Sequence, residues 1–361
     1  MKTLGLRPYA GTACLVSALL AGCAGPLDSA RGDTVPPIGA PSALPQGLSK
    51  LHPLTALNLY VANASGSTVT VYHPGQSSPL LTISAGIDEP YSLAFDTSKN
   101  LYVANNASST VTVYMNGSNS VLRTISTSVN SPHAVAFNTT NDELYVANDP
   151  TAPPGSVTVY SSSGTYLTTI SAGIDAPVAL AIDSSGNVYV ANSDGNTVTV
   201  YSPTTNALLY TVSAGVDDPD ALAIDSQGSL YVANLTSNAG GKGTVTVYEA
   251  GSNALSQTIT RGIDFPIALA FGPSHYLNVA NNLANTVTQY APGSVTVART
   301  ISKGVDDPFS IAFGSFGYLN VGNVAGGIGF GSITEYRPGS GSVNRTITTG
   351  IDGPYALAFG P

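Results

Sequence analysis

Beyond residue 23 the chain has no cysteine. Its two, Cys14 and Cys23, both fall in the first 23 residues, so disulfides and cysteine-held metals are excluded from everything after them. Charge is scarce as well. Charged residues make up 9% of the chain, where an ordinary soluble domain has about 25%. The few that exist lean one way: 12 Lys and Arg against 21 Asp and Glu, a formal net charge of -9. No basic cluster interrupts this, and an acidic surface repels a phosphate backbone, so nucleic acid is excluded as a partner. There are four histidines, and neither a Ser–His–Asp order nor a His-x-x-x-His helix pattern accompanies them. Gly, Ser, Thr and Asn take the place of charge, while Val, Ile, Leu and Tyr recur at fixed intervals. With 43% apolar residues the chain can bury enough surface to offset the entropy of ordering, which a disordered composition cannot.

One apolar run stands near the start, "ACLVSALLAGC", ending at Cys23 behind Lys2 and Arg7. It is too short and too close to the start to span a bilayer. Charge followed by an apolar stretch is the organisation of a secretory signal. The ending Leu20 to Cys23, "LAGC", resembles the lipobox of bacterial lipoproteins. That resemblance implies cleavage before Cys23 and acylation of Cys23, with the lipid bilayer as a partner; a cleaved signal with a stray cysteine is the other reading. Several acyl chains anchor stably where one does not. Ala24, rather than aspartate, implies by the same analogy the outer membrane of a Gram-negative host. The expected organisation is a signal at 1–22, an acylated tether at 23–52 rich in Pro, Ala and Gly, and a folded domain at 53–361. Arg31-Gly32-Asp33 lies in the tether and is short enough to arise by chance.

The folded part writes one unit seven times. "LYVAN" begins at 59, 101, 144 and 230, "VYVAN" at 188, "LNVAN" at 277 and "LNVGN" at 319, at intervals of 42, 43, 44, 42, 47 and 42 residues. Each unit holds four strand-like runs and no helical spacing. In the fourth, "PVALAID", "VYVAN", "TVTVY" and "LLYTVSAG" are separated by turn sequences. Four short antiparallel strands per ~40–45 residues predict an all-β, seven-bladed β-propeller. The chain enters on a "LYVAN" strand and ends on "PYALAFGP", so residues 355–359 are predicted to pair beside 59–63 and close the ring. The tyrosine ending each third strand (Tyr72, Tyr114, Tyr160, Tyr201, Tyr248, Tyr290, Tyr336) recurs in all seven units and reads as packing.

The stretch Asp183 to Asn192, "DSSGNVYVAN", resembles the NHL and YVTN-type bacterial propeller repeats, and the likeness covers residues 57–361. It is specific for fold and poor for function, since this architecture hosts lactonases, lyases and binding scaffolds. The sixth and seventh units depart from it: "GPSHYLNVAN" and "GSFGYLNVGN" put Gly272 and Gly314 where the turn Asp stood.

One mouth of a propeller channel gathers the loops entering the first strands and the loops leaving the second strands. Two repeated sets fall there. One is Asp88, Asn130, Asp175, Asp217, Asp264, Asp306 and Asp352; the other is the Asn closing each "LYVAN" strand. Oxygens near an axis suggest Ca²⁺. Turn building is the other reading, because one ion cannot use seven copies and carboxylates ~10 Å apart repel by only about 0.4 kcal/mol in water. Positions that differ between units point better to a ligand. The residue after each Pro runs Tyr91, His133, Val178, Asp220, Ile267, Phe309, Tyr355, and the residue before it runs Glu89, Ser131, Ala176, Asp218, Phe265, Asp307, Gly353. From these, Tyr91, His133, Asp220, Phe265, Phe309 and Tyr355 are the candidate ligand-binding residues, a mixture that suits sugars, cations or peptides. Long loops at 149–156, 235–243 and 324–332 enlarge the same mouth.

Resemblance to the propeller lactonases implies a Ca²⁺-type site of Glu, Asn and Asp, for which Glu89, Asp220 and Asp307 with one of the "LYVAN" asparagines are the candidate ligands. Resemblance to the streptogramin lyases implies His and Glu at the mouth, but only His133 is expected there. The reading is a membrane-anchored, extracytoplasmic binding scaffold acting through its channel mouth on a protein, glycan or small molecule, with no cofactor required. A Ca²⁺-dependent lactonase-like hydrolase and a lyase-like enzyme are the alternatives.

Overall fold

The computed structural model describes residues 56–150, 154–236, 241–324 and 331–361. The expected signal, Cys23 and nearly all of the tether lie outside the described residues, as do the middles of the three long loops. The rest forms seven four-stranded antiparallel sheets, the blades of a propeller, with one short 3-10 turn at Ser315–Gly317. Blade four shows the plan: Pro177–Ile182 at the axis, then Val188–Asn192, Thr197–Tyr201 and, outermost, Leu208–Val212. The second strand of every blade is buried along nearly its whole length, because blades cover both of its faces. The outermost strands present exposed residues to solvent.

The ring closes as predicted. Pro354–Gly360 pairs with Asn58–Asn63 in the register Leu59↔Phe359, Tyr60↔Ala358, Val61↔Leu357 and Ala62↔Ala356. Blade one is thus built from both ends of the propeller domain. Tyr60 fixes the join by donating its hydroxyl to the Pro361 carbonyl at 3.0 Å.

The tyrosines of the third strands are core. All seven are at most 1% exposed. Each donates its hydroxyl to a main-chain carbonyl in the connection entering its own blade, as Tyr201 does to Ala172 at 2.6 Å and Tyr72 to Thr349 at 2.7 Å. A buried phenol needs such a partner, and here the partner is the chain that must be held. Between blades, the second-strand tyrosines meet the Phe of the next first strand: Tyr60 with Phe95, Tyr102 with Phe137, and Tyr231 with Phe271, at centroid distances of 5.0, 5.7 and 5.0 Å.

The connections at the mouth come in two designs. In blades one, two, four and six the loop after the second strand is short. Its last residue (Ser67, Ser109, Asn196 or Asn285) adopts a positive φ and accepts the N–H before the next blade's Pro. In blades three and five the long loop ends on Gly155 or Gly243, and the acceptor is a loop carbonyl, of Pro154 or Lys242. Glycine is required at Gly155: its φ is +81°, and a Cβ would stand 2.6 Å from Pro177 Cδ and 2.8 Å from the Asn148 carbonyl.

Candidate functional site at the channel mouth

Each first strand opens on a β-bulge. Pro177 pairs with Asn192 and Ala179 with Ala191, so Val178 drops out of the ladder. The same irregularity skips Tyr91, His133, Asp220, Ile267, Phe309 and Tyr355 in the other blades. A bulge re-aims the side chain it frees. All seven variable residues after Pro therefore leave the sheet at one level of the mouth, one per blade.

The residues before Pro share a second peculiarity. Glu89, Ser131, Ala176, Asp218, Phe265, Asp307 and Gly353 all have a positive φ, between 45° and 65°. Only one is glycine, so six side chains bear the strain of a left-handed backbone. Two hydrogen bonds hold it: the N–H as described above, and the carbonyl, which accepts from the residue after the "LYVAN" Asn, as Glu89 does from Asn106 and Phe265 from Asn282, each at 3.0 Å.

Four consecutive blades supply rings at the bulge. Phe309 lies 4.4 Å from Tyr355, Tyr355 5.2 Å from Tyr91, and Tyr91 stacks on His133 at 5.3 Å, centroid to centroid. Val178, Asp220 and Ile267 complete the circle. The arc packs on itself: Phe309 is 6% and Tyr91 8% exposed, and Asp220 is 2% exposed. His133, Tyr355 and Phe265 are half-buried and meet an incoming group first. Tyr91 donates to Glu89 Oε1 at 3.2 Å, and burial, reinforced by the Glu89 charge, pushes its phenol well above the usual range.

His133 is held neutral. Burial pulls its imidazole down to about 4. Its Nδ1 lies 3.4 Å from Asp149 Oδ2, yet it is not aligned for a hydrogen bond, and a neutral imidazole makes this no charged pair at neutral pH. Asp149 itself is pushed up to about 6, first by burial and then by the carboxylates of Asp194 and Asp175. Other acids at the mouth are engaged locally: Asp218 Oδ1 accepts from Ser193 Oγ at 2.6 Å, and Asp307 Oδ1 accepts from Asn282 Nδ2. Lys242 pairs with Asp264 at 2.8 Å. The balance of the mouth is acidic.

Asp149, Ser193 and Asn282 belong to a third variable ring, absent from the candidate residues read from the sequence. It is the residue directly after the "LYVAN" Asn: Ala64, Asn106, Asp149, Ser193, Leu235, Asn282, Val324. The signal was available, since this position differs in nearly every unit.

The repeated Asp and Asn sets have a shared building role. Each "LYVAN" Asn is buried, at most 1% exposed. In all seven blades its Oδ1 accepts the main-chain N–H of the repeated Asp or Asn, as Asn192 does from Asp175 at 3.2 Å. Its Nδ2 donates to a third-strand Thr, as Asn192 does to Thr199 at 3.0 Å, and equally in every other blade. It is the main-chain N–H of the Asp, not its carboxylate, that makes the recurring bond. Among the described residues no three His, Cys, Asp or Glu side chains are grouped to hold a metal ion. Glu89, Asp220 and Asp307 stand on blades two, five and seven.

Comparison with protein-family models and with curated proteins finds no match. Among solved structures, the chain is similar to the computationally designed Ika8 protein, with a TM-score of 0.63 at 17% identity over 84% of this chain and 93% of that one. It is also similar to a functionally unknown protein from Desulfotomaculum acetoxidans DSM 771, with a TM-score of 0.67 at 14% identity over 84% of this chain and 99% of that one. At such identities the likeness shows the β-propeller fold alone.

Proposed function

We propose that the protein is a lipid-anchored, extracytoplasmic scaffold of the NHL/YVTN type whose channel mouth binds a cationic organic group. The observation that carries this reading is the contrast between the blades. Apart from the second-strand Tyr and turn Asp that blades six and seven replace, they agree in their packing residues and hydrogen-bonded staples, and at the mouth they differ in three rings. There, half-buried aromatic edges at Tyr355, Phe265 and His133 stand among Glu89, Asp218, Asp307 and Asp149. Aromatic faces beside carboxylates favour ammonium ions over neutral or anionic ligands. Anchoring rests on "LAGC" behind a short apolar run.

The test uses choline as probe against the full chain. Saturable binding is expected, weakened several-fold to about tenfold by Tyr355→Ala and less by Asp307→Asn, whose charge is partly screened by salt. No saturable binding, or equal binding by Tyr355→Ala, overturns the reading of the mouth. Independently, Cys23→Ser is expected to release the protein from the membrane fraction; a variant that stays there with an acyl mass shift overturns the anchor.

A further inference from the structure

The face opposite the mouth carries a second candidate site, and it rests on what blades six and seven lack. In blade four, Tyr189 fills the wedge below the sheet and its hydroxyl lies 3.3 Å from the turn residue Asp183. Blade six replaces that pair by Asn278 and Gly272, and blade seven by Asn320 and Gly314. Two rings and two carboxylates are missing from adjacent blades. A cleft of about 630 Å³ opens there, between the turns of blades six and seven.

Its lining is chemically sorted. Tyr276 and Phe316 stand at the opening, 38% and 64% exposed, with Phe313 deeper. Phe316 has a φ of 65°, a conformation that costs a bulky residue free energy, yet it holds an exposed ring over the cleft. Asn278, Gln289 and Arg299 form the polar side. They are cross-strand partners in successive strands of blade six. Gln289 Nε2 donates to Asn278 Oδ1 at 2.7 Å, and Arg299 Nη1 donates to Gln289 Oε1 at 3.3 Å. Among the described residues no carboxylate lines the cleft.

Blade seven supplies the control. At the same register it carries Asn320, Glu335 and Arg345. There Arg345 Nη2 pairs with Glu335 Oε2 at 2.9 Å. Blade six has an amide where blade seven has that acid, so among the described residues Arg299 makes no ion pair, and it faces an open cleft in a chain of net charge -9. A guanidinium beside an amide, without its own acid, matches a carboxylate.

We infer that this cleft binds a small carboxylate ligand with a flat apolar face. Its carboxylate takes the place on Arg299 that Glu335 takes on Arg345, and its flat face lies against Tyr276 and Phe316. A sugar acid and an aromatic acid share this chemistry, and titration separates them. The full chain is titrated with glucuronate, benzoate and, as an uncharged control, glucose, followed by calorimetry. Saturable binding of at least one acid and none of glucose is expected. Glucuronate alone assigns the cleft to acidic sugars, benzoate alone to aromatic acids. Arg299→Gln is expected to weaken binding by roughly tenfold or more, the size of a lost charged hydrogen bond. Gln289→Glu writes blade seven's own pair into blade six, so it should fold and also lose binding, because Arg299 is then occupied. This second variant decides the matter where Arg299→Gln does not fold. Tyr355→Ala, at the opposite face, should bind the acid unchanged, which keeps this result separate from that of the mouth. Binding of neither acid, equal binding of glucose, or undiminished binding by Gln289→Glu overturns the inference.

Discussion

The contact between His133 and Asp149 shows how one pair of side chains can hide its own titration. Folded His133 titrates near 4, below its ordinary 6.5, because burial disfavours the imidazolium. Between these values the unfolded chain takes a proton that the folded one refuses, so His133 alone makes stability fall as pH falls. Folded Asp149 titrates near 6, above its ordinary 3.8. Between those values the folded chain takes the extra proton, so Asp149 alone makes stability rise as pH falls. The two slopes oppose each other over nearly the same window. Relative to the native chain, Asp149→Asn is therefore expected to lose stability on acidification from about pH 6.5 toward 4. His133→Gln is expected to gain stability from about pH 6 toward 3.8. Denaturant midpoints across this window read both slopes, and slopes of the same sign in the two variants would refute the assignment.

At the scale of the element, the unit of construction is a strand end stapled to a loop. Asn192 joins three pieces of chain: the entering loop through Asp175 N–H, its own strand through the Val190 carbonyl at 3.2 Å, and the third strand through Thr199. Asn192→Ala leaves a buried N–H and a buried hydroxyl without this partner, an expected loss of about 2–6 kcal/mol at about 1–3 kcal/mol per group. Tyr201→Phe removes a hydroxyl shared between the Ala172 carbonyl and Thr199 Oγ1 and keeps the ring, an expected loss of about 1 kcal/mol. Urea midpoints should rank the variants in that order, and a harmless Asn192→Ala would contradict the staple. The alternation of "VYVAN" and "TVTVY" was enough to read strands, because period and turn composition are local. The bulge after Pro was not legible: alternation continues through "PVALAI", and the skipped Val178 is visible only against its partner strand. The cleft at blades six and seven was half legible. Gly272 and Gly314 marked the departure, but the row Asn278, Gln289, Arg299 exists only once cross-strand register is known.

For the whole molecule the decisive feature is that blade one belongs to both ends of the domain. A propeller holds its ring by packing each blade on the next, and the last blade must be secured to the first. Here the first-strand position of blade one is filled by Pro354–Gly360, whose Ala356 and Leu357 are 2% and 3% exposed. The same strand presents Tyr355 to the mouth, between Phe309 and Tyr91. Removing residues 354–361 would uncover the inner edge of Asn58–Asn63 and the flank of the Pro308–Phe313 strand together. An uncovered edge is a template for pairing with another chain. The truncated protein is therefore expected to lose its single cooperative thermal transition and to aggregate. Supplying the peptide "PYALAFGP" in trans should partly restore the transition, because the missing strand needs no covalent link to pair. Differential scanning calorimetry with light scattering reads both effects. A truncated chain that melts at the native temperature would mean that the ring is held by inter-blade packing alone, with the terminal strand an ornament on it.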